Sequence, residues 1–140
     1  MLSKLAVRRL TKLADYMDGL PREANKHFYM GDWFIHGGEH QHRFSKRAIT
    51  RRDLEFCGTS ACAMGWAATI PAFRKAGLSV APNGNLLLAG YQPKGSLFEI
   101  TDRFFDIERE HSEHLFSGRL QVKTPKRWAA RCRKFLRENA

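Results

Sequence analysis

The chain has 140 residues, with 24 Lys and Arg against 14 Asp and Glu, for a formal net charge of +10. A chain of this length can bury a core without disulfide or metal staples, and 43% hydrophobic with 27% charged residues argues against disorder. No apolar run reaches the roughly 20 residues of a membrane span, and the arginines within MLSKLAVRRL leave no uninterrupted h-region for a secretory signal.

Three cysteines, an odd number without a framework, fit free thiols in a reducing compartment, so a cytoplasmic setting is expected. The basic excess predicts attraction to phosphate backbones, acidic protein faces or anionic lipid, and does not choose among them.

In chain order, residues 2 to 20 form an amphipathic pattern. Leu2, Leu5, Leu10, Leu13, Met17 and Leu20 fall on one face, and Lys4, Arg8, Thr11, Asp15 and Asp18 on the other, with Gly19 and Pro21 as the stop. The aromatic, glycine-broken stretch HFYMGDWFIHGGEHQHRF reads as loop with a short strand. In it, Trp33 and Phe34 fit either a dimer contact or the core. Ala48 to Phe56 offers a turn or two of helix. Thr59 is placed as the N-cap of a further helix, which Ile70-Pro71 kinks or ends and Gly77 closes.

Two short apolar runs around Asn83-Gly84 predict a β-hairpin, and residues 97 to 106 and 108 to 116 read as helices. The last helix opens with Thr124 as cap and Pro125 at N1. On its wheel Trp128, Cys132, Phe135 and Leu136 share one side, opposite Lys126, Arg127, Arg131, Lys134 and Arg137, with Arg133 at the border. Trp128 at this spacing reads as core rather than as a base-stacking platform.

The residues admit three chemistries. The first joins the cationic side of the last helix to a second knot, Lys46, Arg47, Arg51 and Arg52, as one anion-binding surface. A nucleic acid would be held there through its phosphates, with Arg51, Arg52, Lys126, Arg127, Arg131 and Lys134 as contacts. No zinc-finger spacing, RNP motif or GXXG signature supports base-specific reading. An acidic protein partner would use the same cations.

The second reading is a cysteine hydrolase or transferase with Cys62 or Cys57 as nucleophile. With Thr59 as cap, Cys62 sits at N3, where helix N–H groups lower a thiol pKa. His111 or His114 would be the base, oriented by Glu110 or Glu113. The third is a zinc-stabilised module using His36, His40, His42, Cys57 and Cys62, although no CxxC pair or HExxH is present. Close packing accounts for more residues than either, because Ala61, Cys62, Ala63, Gly65, Ala67 and Ala68 ring the whole helix. No catalytic residue, metal or cofactor is therefore assigned.

CGTSACAMGWA, then Pro71, Gly77-Leu78, Phe104-Phe105, Leu115-Phe116 and Thr124-Pro125, resembles an uncharacterised group of small phage and bacterial proteins. They share a C-G-T-x-A-C-A-x-G-W-A core, and the likeness covers roughly residues 57 to 136. It implies context rather than chemistry: a phage-encoded, host-directed binder or inhibitor acting in the host cytoplasm. CGTSAC is only loosely similar to the CGSCW of papain-like enzymes, and no catalytic role carries over.

The expectation is a single domain over residues 1–140, of α+β class and mostly α, with a central buried helix, amphipathic flanking helices and one short β-hairpin. Its expected function is non-enzymatic binding through a cationic surface.

Overall fold

The computed structural model describes residues 1–30, 51, 62–81, 85–95, 98–118 and 120–140. Helix α1 is Lys4–Asp18, and the Ser3 side chain caps it by accepting from the Ala6 N–H at 3.1 Å. A 3-10 turn at Arg22–His27, which the sequence pattern did not signal, carries the chain away from Pro21. Helix α2, Ala63–Ala67, is followed by α3, Pro71–Lys75. Strands β1, Leu78–Val80, and β2, Leu86–Leu88, pair antiparallel with Leu78 opposite Leu88. Helices α4, Phe98–Phe105, α5, Arg109–Phe116, and α6, Pro125–Asn139, complete the chain. The protein is thus α+β and mostly α, as its patterning predicts.

The two long helices are antiparallel neighbours. The Leu2 N–H donates to the Asn139 carbonyl at 3.2 Å, while at the other end of the pair Lys126 Nζ reaches the Asp18 carbonyl at 2.7 Å. Each buries its predicted stripe: Leu10, Leu13 and Met17 from α1, and Trp128, Cys132 and Phe135 from α6. Leu2, Leu5 and Leu136 are only partly covered.

Helix α2 is the central element, and every residue from Cys62 to Ile70 is buried. A segment of small apolar residues has no face to turn to water and is enclosed on all sides. The Trp66 indole N–H donates to the His27 carbonyl at 3.0 Å, and that of Trp128 to the Leu115 carbonyl at 2.7 Å. Each tryptophan thereby supplies bulk while keeping its one donor satisfied. A run of rings links four helices. Phe73 meets Phe104 at 5.0 Å, Phe104 meets Phe105 at 5.1 Å, Phe105 stacks on Phe116 at 5.3 Å, and Phe116 meets Trp128 at 5.5 Å.

The punctuation residues act as their chemistry predicts. Ile70 caps α3 and Pro71 opens it. Gly77 turns into β1 at φ +102°, where an added Cβ would stand 2.9 Å from that of Ala89. Thr124 accepts from the Arg127 N–H at 3.2 Å. Between α4 and α5, Asp106 adopts a left-handed conformation at φ 55°, and the Ile107 N–H returns to the Asp102 carbonyl at 3.0 Å. The Asp102 carboxylate then accepts from Arg109 at 2.9 Å and from the Ser112 hydroxyl, which locks the two helices together. The Thr59 cap, the Asn83-Gly84 turn and the contact expected of Trp33 and Phe34 lie outside the described residues. Among the described residues no helix is long and apolar enough to cross a membrane.

Candidate functional site

Helix α6 presents a cationic crest. Because Trp128, Ala129, Cys132 and Phe135 take the inner side, Lys126, Arg127, Ala130, Lys134 and Arg137 stand exposed on the outer one. Arg127, Lys134 and Arg137 recur at i, i+7 and i+10, which holds them in one line along a rigid helix about 15 Å long between the outer two. The nearest carboxylate on the helix, Glu138, is 4.0 Å from Lys134.

Three other cations of α6 are already engaged. Arg133 donates to Asp15 at 2.9 Å and to Asp18 at 3.0 Å, and Lys126 reaches Asp18 at 3.3 Å. Hydrogen bonds to Asp15 and Asp18 raise the Arg133 pKa above its ordinary value, and those from Arg133 and Lys126 hold the Asp18 carboxyl below its own. Arg131 Nε donates to the His114 carbonyl at 3.0 Å, and its Nη2 lies 3.3 Å from the His114 Nδ1. A guanidinium can only donate, so Nδ1 is the acceptor there. Burial, reinforced by Arg131, lowers the His114 pKa. Among the described residues, the six cations that look equivalent on a wheel therefore divide into free ones, Arg127 and Arg137 above all, and structural ones, Arg131 and Arg133.

Of the second cationic knot, Lys46, Arg47 and Arg52 lie outside the described residues. Arg51 is partly buried, its guanidinium 5.5 Å from the centre of the Tyr16 ring, beside a pocket lined by Leu20, Ala24 and Trp66. Tyr16 lies on the flank of α1 that turns toward α2, where its hydroxyl is 3.2 Å from Thr69 Oγ1. The ring that Arg51 meets belongs to α1, not to the α6 crest. Two exposed groups that the sequence reading left unassigned do lie near it: Lys123, just before the cap, and Lys4, on the first turn of α1 beside the end of α6. Their signal in the sequence was charge alone. The register that brings Lys4 to α6 is a tertiary fact.

The thiol reading placed Cys62 at N3 of a helix begun at Thr59, and this is corrected. Cys62 is itself the N-cap residue of α2, its side chain makes no capping hydrogen bond, and it is 1% exposed. Its backbone is extended, at φ −78° and ψ −178°, and the helix opens at Ala63. His111 and His114 both face α6, with Phe135 at 5.0 Å and 5.9 Å from their rings. Arg131 occupies the Nδ1 lone pair of His114 that a general base would need at that atom. Cys132 is fully buried against the Leu10 carbonyl, and burial pushes its thiol up to about 12.

The zinc reading rested on His36, His40, His42 and Cys57, which lie outside the described residues, together with Cys62. Among the described residues, Glu108, Glu110 and His111 bring ligand-type atoms within 4.8 Å of one another. Both glutamates are exposed and belong to the start of α5, where the helix dipole alone gathers carboxylates. No family model, no curated protein and no solved structure matches this chain.

Proposed function

We propose that this is a non-enzymatic nucleic-acid-binding protein that holds phosphates along the outer crest of α6. The observation that carries the reading is the line of Arg127, Lys134 and Arg137, exposed on one rigid face with Glu138 as the single carboxylate of that helix. Three cations that share one carboxylate among the described residues repel one another in the free protein, and a polyanion removes that repulsion while releasing its own counterions. Lys4, Lys123 and the half-engaged Lys126 would widen the contact.

Base reading is not part of the proposal. Phe104, Phe105, Phe116, Trp128 and Phe135 are buried and Phe98 is partly so, and none of these rings is an open stacking platform. Affinity would then vary little with sequence and strongly with salt. The resemblance to small phage proteins suggests a host-directed role for such binding.

The test is binding of nuclease-treated, untagged protein to labelled duplex and single-stranded DNA and RNA across a salt series. The expected result is a steep negative slope of log affinity against log salt. Replacing Arg127, Lys134 and Arg137 together by Gln should flatten that slope by about one unit for each cation removed and weaken all sequences alike. A triple variant that binds as tightly as the parent ends the proposal.

A further inference from the structure

On the other flank of α1, away from α6, a groove of about 510 Å³ runs between α1 and α3. One wall carries Arg8 and Lys12, both exposed and one helical turn, about 6 Å, apart. The opposite wall is apolar: Ala72 and Ala76, also one turn apart and exposed, with Phe73 sealed beneath them. The rim has one carboxylate among the described residues, Asp15, and it is committed to Arg133 at 2.9 Å on the far side of the helix. Arg8 and Lys12 have no ion pair among the described residues, whereas Arg9, beside them, is occupied by the Phe104 carbonyl and ring.

We infer that this groove docks an acidic amphipathic helix of a partner protein. Two facts select that occupant. Glu or Asp residues one turn apart on a helix match the spacing of Arg8 and Lys12, which supplies charge complementarity. The alanine pair lets a helical backbone approach closely, and the apolar side chains of an amphipathic face cover Ala72, Ala76 and the edge of Phe73. A phosphate backbone would satisfy the first wall and leave the second wet. The volume suits a few side chains of a segment rather than the face of a whole domain. The inference does not rest on the nucleic-acid reading, since none of these residues belongs to the α6 crest.

The experiment is selection from a display library of helix-forming peptides, randomised on one face, against the full-length protein. Enriched sequences should carry acidic residues at i and i+4 beside apolar ones. Their affinity, read by fluorescence anisotropy, should fall by about tenfold or more in Arg8→Glu/Lys12→Glu. Ala76→Trp, which fills the groove without altering charge, should weaken them as well, and circular dichroism establishes that each variant folds. The Arg127, Lys134 and Arg137 triple variant should bind the peptides like the parent. Selection with no acidic pattern, peptides indifferent to both groove variants, or a duplex oligonucleotide that competes for the groove through Arg8 and Lys12 would each overturn the inference.

Discussion

The two flanks of α1 start from similar ingredients and end differently. Toward α6, Asp15 and Asp18 meet Arg133 and Lys126, and four charges close a clasp between the long helices. Toward α3, Arg8 and Lys12 meet Ala72 and Ala76, and among the described residues no ion pair answers their charge. Both pairs of cations are conspicuous in the sequence. A cation whose partner is supplied by the fold is spent on holding helices together, and one facing an apolar wall keeps its attraction for something outside the chain. The same division runs through α6, where Arg131 and Arg133 support the structure and Arg127 and Arg137 do not.

The comparison breaks most completely if the packing beneath it is removed. Trp128 is fully buried and fixes α6 to both Phe116 and the Leu115 carbonyl. Trp128→Ala is expected to cost about 3–5 kcal/mol in urea unfolding, and both flanks should loosen together. A destabilisation well under 1 kcal/mol would mean that α6 is held by its charges instead. The same packing shields Cys132, whose thiol stands at about 12. Iodoacetamide should leave it unlabelled at neutral pH in folded protein and modify it once urea unfolds the chain. Rapid labelling of the native protein would show the long-helix interface to be open.

The clasp itself is a smaller effect with a definite pH signature. The Asp18 carboxyl titrates below its ordinary value near 3.8 because Arg133 and Lys126 donate to it. A depressed carboxyl contributes stability that is present above the ordinary value and is lost as pH falls through the lower folded one. Asp18→Asn should therefore melt below the parent at neutral pH, and the difference should close as pH drops past that range. Because the pair is exposed, added salt should shrink the difference too. An equal gap at low pH would assign the effect to something other than charge.

The smallest expected effect sharpens the contrast by its sign. Arg8 stands one turn from both Lys4 and Lys12, and like charges at that spacing destabilise a helix. Arg8→Gln should raise stability by about 0.3 kcal/mol in the urea midpoint, where Asp18→Asn lowers it. If Arg8→Gln destabilises, the groove side has a partner within the chain and is not an open site.

Much of the fold was legible because local rules and burial agreed. The 3.6-residue stripe placed α1 and α6, and Thr124-Pro125, Ile70-Pro71 and Gly77 marked ends through capping, a missing N–H and a positive φ. Small apolar residues on every side announced that α2 is interior. The start of α2 was misjudged because a Thr followed by small residues is a good local cap, whereas the backbone stays extended at Cys62 and turns helical at Ala63. The 3-10 turn at Arg22–His27 carries no periodic signal, and its tie to the core is the His27 carbonyl held by Trp66.

The candidate sites were legible only as composition. By itself the sequence determined that the protein is basic, largely helical and built on amphipathic helices with Trp128 and Cys132 inward, because charge and periodicity are properties of the chain. Which cations are free was decided by the tertiary structure. Asp15 and Asp18 lie more than a hundred residues from Arg133, and the i, i+4 pattern of Arg8 and Lys12 says nothing of the alanine wall opposite. Ion pairing acts over a few ångströms, so only the packing of the helices settles which charges are neutralised inside the protein and which remain for a partner.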